Sequence, residues 1–248
     1  MAKIMGIVNL TPDSFFAPSR VHAGQARERI RALCEEGADI IDLGAVSTRP
    51  GAAPVSLREE WRRLSPVVRS WDAPALLSVD TTRAEIVRRV YDCAGTFLVN
   101  DISAGEDDPE MLQTVGELGL PYVAMHKRGD PRTMDSLCAY PEGIMPALTD
   151  YFRAFSRKAE AYGITGWVLD PGLGFAKTAE QNWEILESLD CLRVFGRPIL
   201  IGAADKRFTG GDTEKAHRLA LRHGGAILRV HDVAAARRTL ENFHADER

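Results

Sequence analysis

Eight short apolar runs recur along the chain: IMGIVNL, DIIDLG, ALLSVDT, FLVND, YVAMH, GWVLDPG, PILIGA and AILRVHD. They are near-continuous, as expected for parallel strands covered on both faces. Longer stretches with helical spacing separate them. AGQARERIRALCEEGA brings Ile30, Leu33 and Cys34 onto one face and closes on Gly37. PEGIMPALTDYFRAFSRKAEAYGI is the longest and ends near Gly163. TAEQNWEILESL opens on Thr178 with Gln181 three residues later, a capping-box pattern. DTEKAHRLALRHGG and VAAARRTLENF supply the last two helices. Eight strands, each followed by a helix, in 248 residues predict an α/β chain folded as a single (β/α)8 barrel over 1–248. An open doubly wound sheet is the rival, but the GxGxxG fingerprint does not follow the first strand. The strand sequences differ, so the alternation is architecture and not a sequence repeat.

Composition narrows the partners. The chain is 45% hydrophobic and 27% charged, with a formal net charge of −4 and no long single-sign run. That balance is ordinary for a globular protein and does not favour nucleic acid. RERIR and EEWRRL mix Arg with Glu and read as solvated helix faces. No run approaches the roughly 20 apolar residues of a membrane span. MAKIMGIVNL enters a strand without the shape of a signal peptide, which predicts a cytoplasmic protein. Cys34, Cys93, Cys138 and Cys191 form no CxxC pair. They are expected to be reduced and mostly buried, and they do not suggest a zinc site.

In such a barrel the C-terminal ends of all strands share one face, where active sites are built. Those ends read Asn9, Asp42, Asp80, Asn100 with Asp101, His126, Asp170, Lys206, and Arg229 with His231. Polar groups inside or just beyond apolar strands are costly to bury without partners. As a set they point to an active-site wall, although Asp42 and Asp101 read equally well as caps or loop anchors. Asp80, Asn100 and Asp170 offer acceptors and an amide donor suited to the edge of a flat heterocycle. Lys206, Arg49, Arg229 and His231 suit an anion. STRPGA, after the second strand, groups hydroxyls, an arginine and a glycine and suits phosphate or carboxylate binding. It is not a Walker loop. In DPGLGFAKT, Gly172 and Gly174 allow backbone to approach a ligand, and Phe175 either lines an aromatic pocket or packs.

MGIVNLTPDSFF, IIDLGAVSTRPGA, LLSVDTTRAE, LVNDISAG, YVAMHKRGDPRTM, WVLDPGLGFAKTAEQN and ILRVHDV together resemble, in order, the signatures of the dihydropteroate synthase family. The resemblance covers nearly the whole chain. It implies a TIM barrel that joins 6-hydroxymethyl-7,8-dihydropterin diphosphate to p-aminobenzoate and releases pyrophosphate in folate biosynthesis. By resemblance, Asp80, Asn100, Asp170 and Lys206 hold the pterin, with Met125 packing nearby. Asn9 ligates a Mg²⁺ bridging the diphosphate, whose oxygens are held by Asn9, Arg49, Arg229 and His231. Thr48, Pro50, Phe175 and Ala204 shape the p-aminobenzoate site. Asp13 lies in a loop that closes over it. The chemistry falls to Asp80, Asp170, Lys206 and Arg229. Sulfonamides, which mimic p-aminobenzoate, are the expected inhibitors, and late helices form the expected homodimer contact.

The chain departs from the family in three places. The usual Ser-Arg-Lys-Ser-Phe at the seventh strand reads ADKRF, residues 204–208. Ala204 and Asp205 thereby lose a hydroxyl and reverse a charge, and Arg207 compensates only if it turns inward. Losing a donor to a charged partner costs about 1.5–3 kcal/mol, roughly ten- to a hundredfold in affinity. The segment before ILRVHDV is short, and Val46 replaces a common glutamate. Two alternatives follow: a paralogue that binds the pterin but uses another arylamine or does not turn over, and a pterin-dependent methyltransferase domain.

Overall fold

The structure is a computed structural model and describes residues 2–10, 25–46, 54–130, 133–204 and 206–246. Strands and helices alternate throughout: β1 (Lys3–Asn9), α1 (Ala26–Glu35), β2 (Ile40–Gly44), α2 (Leu57–Val68), β3 (Leu76–Asp80), α3 (Ala84–Ala94), β4 (Leu98–Asp101) and α4 (Met111–Leu118). There follow β5 (Tyr122–Met125), α5 (Ile144–Ala161), β6 (Trp167–Asp170), α6 (Ala179–Glu187), β7 (Leu200–Ile201), α7 (Thr213–Arg222), β8 (Ile227–Val230) and α8 (Val233–Asp246). The sheet order is β6-β5-β4-β3-β2-β1-β8-β7, with every pairing parallel. A parallel bridge between Leu169 and Ile199 joins β6 to β7, and the Leu169 N–H donates to Pro198 O at 2.9 Å. The sheet therefore closes on itself as the expected (β/α)8 barrel.

The strands look uniformly apolar because both their faces are buried, but each face has its own role. Ile41, Leu43, Val79, Val99, Tyr122, Trp167, Leu169 and Leu228 belong to the large outer core beneath the helices. Met5, Ile40, Leu98, Val123, Val168, Leu200 and Ile227 form a separate cluster inside the barrel, one from every strand except β3. On β3 the residue opposite Leu98 is Ser78. Side chains two positions apart share a face. One step towards the strand C-termini, the inward register therefore passes from Ile40 to Asp42, Ser78 to Asp80, Leu98 to Asn100, Val168 to Asp170 and Ile227 to Arg229. Met125 follows Val123 in the same way. An apolar floor thus carries a polar layer.

Local signals set the helix boundaries. Thr178 and Gln181 form the expected capping box at α6, each side chain bonded to the other's backbone N–H. Ser56 caps α2 by accepting from the Glu59 N–H. Two sequence expectations need correcting. Glu60, in EEWRRL, is buried, because its carboxylate accepts from Thr81 Oγ1 at 2.6 Å and Arg83 Nη1 at 2.5 Å. The cysteines are free, but none is buried: Cys93 and Cys191 are exposed and Cys34 and Cys138 half-buried. Cys93 is a polar-face position of α3, whose buried residues are Ala84, Ile86, Val87 and Val90. Among the described residues no helix is long and apolar enough to cross a membrane.

Candidate active site

Four strands contribute to one buried charge network in the polar layer. Asp42, fully buried on β2, accepts from Ser78 Oγ at 2.7 Å, Asn100 Nδ2 at 2.9 Å and Arg229 Nε at 2.7 Å. Arg229 reaches across the mouth and gives a second bond, from Nη2 to Asp80 Oδ2, at 2.8 Å. One guanidinium thus lies between two carboxylates. Burial works against its charge, but Asp42 and Asp80 outweigh that and raise its pKa further. Burial pushes the Asp80 carboxyl up from the usual range while Arg229 pulls it back. The side chain that sequence reasoning missed here is Ser78. Asp42, read as a cap or an active-site residue, holds Asn100 and Arg229 in place.

Gly44 sits between the ends of β1 and β3. A Cβ there would lie 3.2 Å from Asn9 Oδ1 and 4.0 Å from Asp80 Oδ2. The bare glycine lets Asn9 and Asp80 approach the same point of the mouth. A pocket of about 500 Å³ opens beside them, lined by Asp80, Thr81, Arg83, Ile102 and Lys127 among others.

On the opposite side, Asp170 ends β6 and is buried. Its Oδ1 accepts the Gly172 N–H at 2.7 Å. Burial raises its pKa to about 6, against the pull of that N–H and of Arg229, Lys206 and Lys177. Lys206 does not end a strand, because β7 stops at Ile201. It enters over the glycine turn instead: its Nζ lies 4.5 Å above the Phe175 ring, and its Cδ would be 3.2 Å from a Cβ at Gly174. Burial, reinforced by Arg229 and opposed by Asp170, lowers its pKa to about 8. Met125 is buried at the end of β5 beside Gly172. His231 follows β8, and its carbonyl accepts from Arg29 Nη2 at 3.0 Å.

Other strand-end residues turn away from this centre. Asp101 follows the inward Asn100, faces outward, and accepts from Ser103, Gly105 and Tyr122 Oη. His126 follows the inward Met125 and meets Lys177. Ala204 packs against the outer core and lines the groove between α7 and α8. Arg207 does not turn inward; its side chain is 90% exposed and lies 3.6 Å from Asp135. Asp13, Thr48, Arg49, Pro50 and Asp205 lie outside the described residues.

The expected Mg²⁺ on Asn9 is not supported. Among the described residues no three His, Cys, Asp or Glu side chains come together to hold a metal ion. The carboxylates of the same layer, Asp80 and Asp42, are already bonded to Arg229, and Asp42 also to Asn100 and Ser78.

Residues 5–237 match the family model for pterin-binding enzymes. A dihydropteroate synthase of Synechocystis sp. is 39% identical over 251 residues, covering 94% of this chain and 86% of that protein. The Yersinia pestis dihydropteroate synthase, solved with a sulfonamide drug, superposes with a TM-score of 0.91 at 32% identity, over 99% of this chain and 94% of that one. The Xanthomonas albilineans enzyme, solved with 4-aminobenzoic acid, gives 0.88 at 34% identity, over 99% and 93%. Barrel, buried polar mouth and near full-length similarity agree, and the chain belongs to the pterin-binding enzymes as a member of the dihydropteroate synthase family.

Proposed function

We propose that this chain is a transferase that condenses 6-hydroxymethyl-7,8-dihydropterin diphosphate with p-aminobenzoate, giving 7,8-dihydropteroate and pyrophosphate. The observation that carries this reading is the inward layer of Asp80, Asn100 and Asp170 at the mouth of a barrel that matches dihydropteroate synthases along its whole length. A carboxylate offers about four acceptor positions. The bonds to Gly172 and Arg229 leave Asp170 and Asp80 with acceptors for the N–H groups of the pterin. Asn100, oriented by Asp42, presents its amide to the same edge.

The chemistry follows from charge. The methylene C–O bond breaks, its electron pair leaves with the diphosphate, and the cation left behind delocalises into the pterin ring. The carboxylates of Asp80 and Asp170 face that positive charge in a setting of low dielectric. Arg229 and Lys206 supply positive charge for the departing diphosphate, with Arg49, Asn9 and His231 as further contacts. The neutral amine of p-aminobenzoate then forms the C–N bond and loses a proton. Phe175 and Lys206 form one wall for that ring, and the family resemblance gives Thr48 and Pro50 to the same site. The family resemblance gives Asp13 to a loop whose closure excludes competing water. Substrates are small molecules, with no role for nucleic acid or membrane. We place the activity in the cytoplasm, in a homodimer.

The deciding experiment measures pyrophosphate release from the pterin diphosphate with and without p-aminobenzoate. Release that requires p-aminobenzoate and yields dihydropteroate is the expected result. Tight pterin binding with no such dependence would instead mark a paralogue that uses another amine.

A further inference from the structure

Behind Asp170 lies a buried lysine that the mechanism above does not use. Lys177 is 8% exposed. Its Nζ is 2.9 Å from Gly172 O, 2.8 Å from Phe175 O and 3.0 Å from His126 Nδ1. The His126 carbonyl lies 3.5 Å away, so Nζ is ringed by acceptors. Burial lowers the Lys177 pKa to about 7. With Lys177 protonated, the third contact uses an unprotonated Nδ1 and leaves the imidazole proton on Nε2. Burial, with Lys177 and Arg128 adding to it, lowers the His126 pKa to about 2, in keeping with that form. Its ring is held edge-on by Tyr151 at 4.8 Å.

Desolvating this lysine is costly, and its contacts with three carbonyls and an imidazole fix one geometry. Here that geometry belongs to the turn after β6. Gly172 has φ +69° and is pressed so closely on β5 that a Cβ would fall 2.0 Å from His126 O. The N–H of Gly172 orients Asp170, and the ring of Phe175 lies beneath Lys206. Asn182 Oδ1 fixes the remaining corner by accepting the Gly174 N–H at 2.7 Å.

We propose that Lys177 and His126 are a positioning pair for the pterin site: they tie the end of β5 to the Gly172–Phe175 turn and so set Asp170 and the Phe175–Lys206 wall. The proposal rests on the pterin reading of Asp170. The test titrates 6-hydroxymethyl-7,8-dihydropterin diphosphate by calorimetry into wild type, Lys177→Met, His126→Leu and His126→Asn, with Tm measured for each. An asparagine Oδ1 can take the place of Nδ1 as acceptor, whereas leucine cannot. Expected are a loss of about tenfold or more in pterin affinity for Lys177→Met and His126→Leu, and near wild-type affinity for His126→Asn. Folded His126→Leu with unchanged affinity, whatever its Tm, would overturn the proposal. So would His126→Asn as weak as His126→Leu, since a merely structural role does not predict rescue by a matched acceptor. If Lys177→Met does not fold, the two His126 variants still decide. A wild-type protein that does not bind the pterin would overturn the substrate reading and with it this proposal, an outcome distinct from a wild type that binds beside variants that do not differ.

Discussion

Asp170 concentrates the residue-scale argument. Replacing it with asparagine keeps the shape but turns one acceptor into a donor facing ring N–H groups. Asp170→Asn is expected to weaken pterin binding by about ten- to a hundredfold, measured as a dissociation constant. Near-normal affinity would remove the assignment. The pH dependence has a definite sign. The carboxyl is raised to about 6, and binding uses its ionised form. Affinity should fall as pH drops below about 6, and that fall should flatten in Asp170→Asn. Arg229 offers a second test. Arg229→Met strands Asp42 and Asp80 as buried carboxylates without their cation and should cost about 3–5 kcal/mol in denaturant unfolding. A loss below about 1 kcal/mol would mean the pair is solvated.

Among elements, α2 ties both sides of the segment that carries Thr48, Arg49 and Pro50. Arg63 Nη1 donates to Ala45 O at 2.8 Å and is oriented by Glu59. Arg83 Nη2 donates to Val55 O at 2.6 Å and is oriented by buried Glu60. Arg83→Ala removes the Val55 bond and leaves Glu60 with Thr81 alone. A loss of about 3 kcal/mol is expected from chemical denaturation. The N-cap of α6 is a milder case, and Thr178→Ala should cost about 1 kcal/mol. The end of the two-residue β7 bears on the second substrate. Ala204 offers no hydroxyl, and Arg207 points to solvent. Asp205→Arg, which restores the family's positive charge, should lower the KM for p-aminobenzoate about tenfold. An unchanged KM would show that its carboxylate is held by other groups.

At the scale of the whole molecule, closure makes the site. Asp42 and Arg229 are 187 residues apart in the chain, yet their side chains bond at 2.7 Å because β8 pairs with β1 and β1 with β2. Titration of buried groups also acts globally. His126 is lowered to about 2 and His217 to about 4, both mainly by burial. Below the ordinary value of about 6.5 the unfolded chain takes up protons that the folded chain refuses. These two groups therefore contribute a loss of stability as pH falls from about 6.5 towards 4. His217→Gln should reduce that part of the slope in Tm against pH.

Eight strands, their helices and the capping box at Thr178 were legible because each is a local pattern: an apolar run, a helical spacing, a cap three residues from its partner. Parity was not. Strands buried on both faces show no alternation of polarity, so Asp101 beside Asn100 and His126 beside Met125 looked alike, and only the direction of the side chains separates the site from its support. Glu60 looked solvated because its partner Arg83 is remote in sequence. Ser78 carried no signal, since a lone serine in a strand is common. Lys177 carries no signal within DPGLGFAKT, because the acceptors that explain it come from two different strand ends. The sequence by itself determined which groups stand near the mouth; the closed barrel decided which of them meet, because hydrogen-bond partners and desolvation depend on positions in space that strand pairing alone brings together.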